Sequence, residues 1–457
     1  MLLFLACTAE PEPVGLDTAP VLPPDTEFIP ATPQRSGDAD VGRDYLINGD
    51  YVGAGIPLGI WRQIYAEDDE NVLDRSGVSA TLSPEATWIE TAEGGEAVVQ
   101  NCLTCHGAEL RGDYVVGLGN TMLASNVDPS GFAPQLETFV KATYGQDSPE
   151  WDNTRRYTRA IKKVGPELVT ETRGVNFADN LAALLAAHRD RNSLEWSGSA
   201  MLDYPAEMLP ADVPPWWHLQ KKNAMFHAGI GRGDFGRFLM TSAILTLEDL
   251  DEAETIDERF PDLFAYLGSL EAPPYPGSVD AELAAMGESV FLDECAACHG
   301  VYSDEGDTYP NLLVDLEVVG TDPLLLEGGA RSPFVDWFNT SWFAEGDHGA
   351  WLEFSDGYVA PPLDGIWATS PYLHNGSVPK LSQVLDSSSR PDIYRRSFDS
   401  SDYDLDDPGW NYTEVSEKSD GSTWDASLPG YGNQGHTFGD PLSVDERAAV
   451  LEYLKTL

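Results

Sequence analysis

Four of the five cysteines in this chain stand in two Cys-x-x-Cys pairs, each followed at once by histidine, in "NCLTCHGAEL" from Asn101 and "FLDECAACHG" from Phe291. Three chemistries use such a pair: a redox dithiol, half of a zinc site, and covalent haem attachment. The histidine separates them. In c-type attachment two thiols add to the two haem vinyl groups, a reach that two intervening residues span, and the adjacent imidazole lies under the ring as the proximal iron ligand. Zinc would draw both pairs into one tetrahedral site and gives no reason for a histidine after each. Cys102, Cys105 and His106 therefore form one expected attachment set, and Cys295, Cys298 and His299 the other. Two covalently attached c-type haems are the expected cofactors.

The flanks suggest how each motif is held. "SVDAELAAMGESVFLDECAACHG" places Leu283, Met286, Val290 and Phe291 at helical spacing, which predicts an amphipathic helix delivering the second site. "SPEATWIETAEGGEAVVQNCLTCHG" predicts a similar helix for the first, interrupted at Gly94 and Gly95. A closing helix is expected in "LSVDERAAVLEYLKTL", where Ser443 and Glu446 form a capping-box pattern and Ala448, Leu451 and Leu454 share a face. "FPDLFAYLGSLEAPPYPG" supplies the earlier one, and its Pro-rich tail sets a boundary near residue 274. The expected fold is mainly α, with two cytochrome c-like haem domains at 41–274 and 275–457. The first carries a long insertion, and irregular loops are abundant.

Residues 1–40 read as a leader and an acidic tether. "MLLFLACTAE" is a short apolar run ending at Ala6 and Cys7, followed by Pro-, Thr- and Asp-rich sequence without periodicity. It resembles a bacterial lipoprotein signal, with Cys7 as the lipidated residue. No run reaches the roughly 18 apolar residues of a membrane span. The expectation is export, to the periplasm, an outer-membrane anchor or the extracellular space, with membrane contact only through a lipid. Net charge is −49, from 27 basic and 76 acidic residues. Such a balance argues against nucleic acid and anionic membrane surfaces as partners; it could steer a small, basic redox protein or hold cations, while a solvated acidic coat is the commoner meaning of such charge. Asp402, Asp404 and Asp406 are spaced as in a calcium loop, although Asp407 stands where that loop needs glycine. Calcium is kept as a candidate cofactor.

The stretch "APPLDGIWATSPYLHNGSVPKLSQVL" resembles a signature of the di-haem bacterial cytochrome c peroxidase and methylamine-utilisation maturation enzyme superfamily. "PPWWHLQKKNAMFHAGIGRGDFGRFLM" and "DASLPGYGNQGHTFG" are closer to its rubber oxygenase branch. The resemblance spans roughly residues 85–457. It implies an N-terminal haem that reacts and a C-terminal haem that stores or relays an electron. Peroxidases of the superfamily commonly ligate the second haem through a methionine in Pro-Tyr-Met-His, where this chain has Leu373. The resemblance to the rubber oxygenase branch gives that role to His436. His374 would fix its local turn or a propionate.

For the distal side of the first haem the candidates are Trp216, Trp217, Phe226 and His227, with Lys221 or Lys222 as propionate partners. A carboxylate or imidazole above the iron would favour a peroxidase, and an apolar wall an oxygenase. The leading expectation is a peroxidase-like di-haem oxidoreductase taking peroxide or oxygen. A dioxygenase cleaving an unsaturated hydrocarbon is the first alternative. The second is a pure electron carrier, in which His188, His227 or one of Met201, Met208, Met225 and Met240 closes the first iron.

Overall fold

The computed structural model describes residues 26–457. The Met1–Cys7 leader and the first part of the tether lie outside them. Residues 26–37, read from composition as part of the tether, are instead tied down. Strand Thr26–Phe28 pairs antiparallel with Leu312–Asp315, whose other edge takes Gly357–Val359. Arg35 then forks onto Asp234 and Asp257, each at 2.8 Å. An extended Thr-Glu-Phe run finds an open sheet edge, and the guanidinium finds two carboxylates, so proline content alone misjudged the segment.

Helices make up most of the regular structure, and the short strands gather into six sheets of two or three. Two helix pairs frame the two motifs. Helix Ala281–Glu294, capped by the Asp280 carboxylate, packs on Val444–Leu454, which carries the expected Ser443/Glu446 capping box. Their contact faces are Ala284, Gly287 and Phe291 on one side and Ala449, Val450, Tyr453 and Leu454 on the other. Met286 is 60 % exposed, and Ala448 also points outward. Apolar spacing therefore found Phe291 and Leu454, with Val290 and Leu451 half-buried beside them, but gave Met286 and Ala448 where Gly287 and Ala449 make the contact, because close backbone approach favours small residues. A Cβ on Gly287 would lie 1.9 Å from the Ala449 carbonyl oxygen.

The first motif has the same crossing, built differently. Helix Phe260–Gly268 packs on Ala39–Asn48, and a Cβ on Gly42 would lie 1.8 Å from the Asp262 carbonyl oxygen. Between Asn48 and Cys102 the chain leaves this pair and makes a hairpin. Strands Ala86–Glu90 and Glu96–Gln100 run antiparallel with Trp88 opposite Val98. The expected delivering helix is thus a β-hairpin. Gly94 takes φ +94 in its turn, and the β-branched pair Val98 and Val99 suits a pleated strand better than a helix.

The boundary near residue 274 divides the helix pairs in sequence, yet packing crosses it. The largest core joins Leu46, Leu103, Trp216, Phe260 and Leu267 to Trp337, Phe338, Trp342 and Phe343. Strand Gly231–Gly233 also pairs with Ala350–Leu352.

Candidate functional site

At the first motif, Cys102 leads into the one-turn helix Leu103–His106 straight from the hairpin. Tyr51 Oη accepts from the Cys102 amide at 3.1 Å and donates to the Leu46 carbonyl at 3.0 Å. This hydroxyl couples the motif to helix Ala39–Asn48. The amides of Gly117 and Asn120 donate to the carbonyls of His106 and Cys105, both at 2.8 Å. The His106 ring stacks on Trp216, with centroids 4.6 Å apart and planes 18° apart. Its Nδ1 is buried without a hydrogen-bond partner.

At the second motif, His299 Nδ1 donates to the Pro361 carbonyl at 2.9 Å, which leaves its Nε2 free to act as a ligand. Pro214 and Pro361 each open a Pro-Pro step. Tyr302 Oη donates to the His299 carbonyl at 3.1 Å and accepts from the Leu363 amide at 2.6 Å, fastening the motif to the Pro-Pro segment. Facing His299 is His436, with ring centroids 6.2 Å and planes 57° apart. The His436 loop is tightly held. Its amide donates to the Val319 carbonyl at 2.6 Å, and Arg390 donates to the carbonyls of Gly435 and His436 at 2.6 and 3.1 Å. His436 itself takes φ +45, a conformation few non-glycine residues adopt, and its Nδ1 is buried without a partner.

Burial holds both His106 and His436 down to about 4, and lowers His299 as well, so at neutral pH all three rings are in the uncharged form that binds metal. Burial pushes all four thiols up, Cys105 and Cys295 to about 12, and none is disulfide-bonded. Reactive dithiols need the opposite shift, which weighs against a redox-dithiol role. Among the described residues, no three His, Cys, Asp or Glu side chains gather to hold a metal ion. That weighs against the joint zinc site, and in the Asp402 loop the carboxylates are engaged by protein donors. Asp404 takes Lys380 Nζ at 2.8 Å and caps the amides of Asp406 and Asp407. Asp402 accepts from Asn411 Nδ2.

Of the distal candidates, Trp216 is the one in contact with a motif histidine. Trp217 turns away. Its Nε1 donates to the Asp364 carbonyl at 2.8 Å, and it packs with Trp367. His218 Nε2 reaches the same carbonyl at 2.9 Å, and Lys221 Nζ bridges the carboxylates of Asp307 and Asp364, both at 2.6 Å. Lys221 is thus committed to protein carboxylates, and Asp364 bolts the Trp217–Lys221 segment to the proximal loop of the second motif. Phe226, at φ +69, meets Phe238 edge-on at 5.7 Å on the margin of the main core. His227 Nε2 is bonded to the Asp212 carbonyl at 3.1 Å. His374 is buried and stacked on Tyr358 at 4.1 Å. His188 spends both nitrogens, on the Ser197 carbonyl and Tyr204 Oη. Sequence reading had no signal for Tyr51 and Tyr302, whose hydroxyls bind backbone groups, or for Asp364, whose carbonyl and carboxylate together hold Trp217, His218 and Lys221. The shared Pro-Pro step was visible but went unused.

Residues 357–395 match the RoxA-like, cytochrome c-like family. That segment holds the Pro361 carbonyl, Asp364 and the Pro-Tyr-Leu-His turn. Two uncharacterized proteins of Sinorhizobium fredii are also similar. One, y4iJ, is 29% identical over 252 residues, 41% of each chain. The other, y4iM, is 26% identical over 234 residues, 46% of this chain and 52% of its own length. The chain spans about half the length of the curated relatives it matches. The cytochrome c-like segment implies a haem cofactor, and the free thiols and oriented imidazoles beside it fit one.

Proposed function

We propose that the chain is an exported di-haem c-type oxidoreductase of peroxidase-like organisation. Cys102, Cys105 and His106 would hold a first haem open to peroxide or oxygen. Cys295, Cys298, His299 and His436 would hold a second that relays electrons. The observation that carries this reading is the 6.2 Å separation of the His299 and His436 rings. Two imidazoles sharing one metal stand about 6 Å apart between centres, given metal–nitrogen bonds of about 2 Å and ring radii of about 1 Å. Among the described residues His188 spends both ring nitrogens, and Nε2 of His218 and of His227 is bonded to a backbone carbonyl, which supports an open first site.

Bound at such sites, haem supplies an iron that exchanges single electrons and, where one position is open, binds oxygen or peroxide. The chain's part is to orient and shield. The Pro361 carbonyl fixes the tautomer of His299, Trp216 sets the plane of His106, and the Asp364 bolt holds the two motifs at a fixed separation. With 76 acidic residues, the surface would steer a basic redox partner.

A dioxygenase acting on an unsaturated hydrocarbon is the second reading, favoured by one observation. His227 spends Nε2 on a backbone carbonyl, while Phe226 continues into the Phe238 and Phe338 stack, whose centroids lie 5.0 Å apart. Such a wall lacks the acid–base group that peroxide cleavage uses. Haem counting by pyridine haemochrome tests the common core. The expected result is two haems in the wild type and one in each of Cys105→Ala and Cys298→Ala, with substrate turnover lost in the first. Two haems remaining in either variant would refute it. Peroxide consumption against oxygen uptake with an alkene separates the two readings.

A further inference from the structure

The two imidazoles that face each other at the second motif are held by different means. His299 is oriented through its own ring, by the bond from Nδ1 to the Pro361 carbonyl. His436 has no such bond, because its Nδ1 is buried without a partner, so its direction is set by its main chain and by packing on Phe438. That main chain is strained. Gly435 and His436 take φ +78 and φ +45 in succession, and a Cβ on Gly435 would lie 2.2 Å from the carbonyl carbon of Gly320. A loop of this shape must be held from outside, and on one side Arg390 holds it.

Arg390 spends every side-chain nitrogen on backbone carbonyls. Nη1 donates to Asn433 and Gly435 at 2.7 and 2.6 Å, and Nη2 to His436 at 3.1 Å. In the opposite direction Nε donates to Gln383 at 2.8 Å, and Nη2 reaches Val384 at 3.5 Å. Gln383 and Val384 lie in the last turn of helix Leu381–Leu385, where carbonyls lack partners within the helix. The planar fork thus joins a helix end to the His436 loop, and Asn433 Nδ2 returns a bond to the Pro391 carbonyl at 2.9 Å. The carboxylates whose charge reaches Arg390 are used elsewhere: Asp386 pairs with Arg447, and Asp440 accepts from Ser387. A lysine could not span these carbonyls, because its donors lack the fixed planar spread. Arginine also stays charged at any working pH, so nothing in the clamp titrates when the charge of a nearby iron changes.

We propose that Arg390 is the positioning residue of the second site: by clamping the loop from Asn433 to His436 it holds the His436 imidazole opposite His299 and keeps that iron closed to outside ligands in both oxidation states. This rests on the reading of His436 as the second axial ligand.

The holoprotein is compared with Arg390→Lys, which keeps the charge and loses the fork, with Arg390→Ala and with His436→Ala. Pyridine haemochrome establishes that covalent haem is retained, and carbon monoxide is then titrated into the fully reduced proteins. The expected result is one more carbon monoxide per chain in all three variants than in the wild type. Guanidinium at millimolar concentration should return Arg390→Ala, but not His436→Ala, to the wild-type value, a rescue that general loosening of the fold would not show. Wild-type stoichiometry in both Arg390 variants, beside the extra carbon monoxide in His436→Ala, would overturn the proposal alone. Wild-type stoichiometry in His436→Ala would sink the reading of His436 and the proposal with it. Should Arg390→Ala lose its haem, Arg390→Lys carries the same comparison, and two carbon monoxides per chain in the reduced wild type would overturn the clamp without any variant.

Discussion

His436 combines three features at one residue: a ring 6.2 Å from His299, a backbone at φ +45, and two carbonyls clamped by Arg390. Strain of this kind persists where surrounding contacts over-determine it, often at functional positions. His436→Ala should convert one low-spin signal to high-spin while leaving two haems attached. An unchanged paramagnetic resonance spectrum would remove His436 from the second iron. A pH prediction belongs at the same scale. Burial holds His218 and His227 down to about 4 and His374 to about 3, against about 6.5 unfolded. Lowered values mean that the unfolded chain binds protons first. Stability is therefore full above pH 6.5 and is lost as pH falls toward 4, by on the order of 2 kcal/mol per ring. Urea midpoints should drop between pH 7 and pH 5, where most carboxylates remain ionised, and equal midpoints would contradict the assignment. The proposed attachment residues could be picked out in the sequence because thiol spacing and the adjacent histidine are local. Tyr302 and Asp364 could not, since their roles depend on distant groups: backbone for Tyr302, and the side chains of Trp217, His218 and Lys221 for Asp364.

At the scale of elements, the second motif was the more legible. Helix Ala281–Glu294 and its partner Val444–Leu454 run without interruption and carry ordinary capping signals. The first motif's helix pair was half hidden, because Ala39–Asn48 stands far from Cys102 in sequence and the chain between them makes a hairpin. What the two pairs share is a glycine at the crossing, a feature that hydrophobic spacing does not register. Gly287→Val should cost about 3 kcal/mol or more, because the added carbons meet the Ala449 backbone, which cannot yield as a side chain can. Gly42→Val should behave alike against the Asp262 carbonyl. Thermal midpoints within a degree or two of wild type would show that the helices slide apart freely.

At the scale of the whole molecule, the two motifs are joined rather than merely tandem. Trp217, His218 and Lys221 converge on Asp364, Phe338 and Trp342 enter the core around Leu103, and the Thr26–Phe28 strand crosses to Leu312–Asp315. Such bolting suits electron exchange over a fixed distance. Asp364→Ala removes the Lys221 clamp and keeps the backbone carbonyl that holds Trp217 and His218; it should leave both haems attached but slow transfer between them, and an unaltered interhaem rate would exclude a role for the carboxylate. At net charge −49, association with a basic redox protein should slow about tenfold or more between low salt and 0.5 M salt. The central claim is one open haem beside one closed by His299 and His436. It is tested most directly by the paramagnetic resonance spectrum of the ferric protein together with carbon monoxide binding after reduction. The account predicts one high-spin and one low-spin signal, with a single haem taking carbon monoxide. Two low-spin haems that ignore carbon monoxide in every state would contradict it and leave an electron carrier.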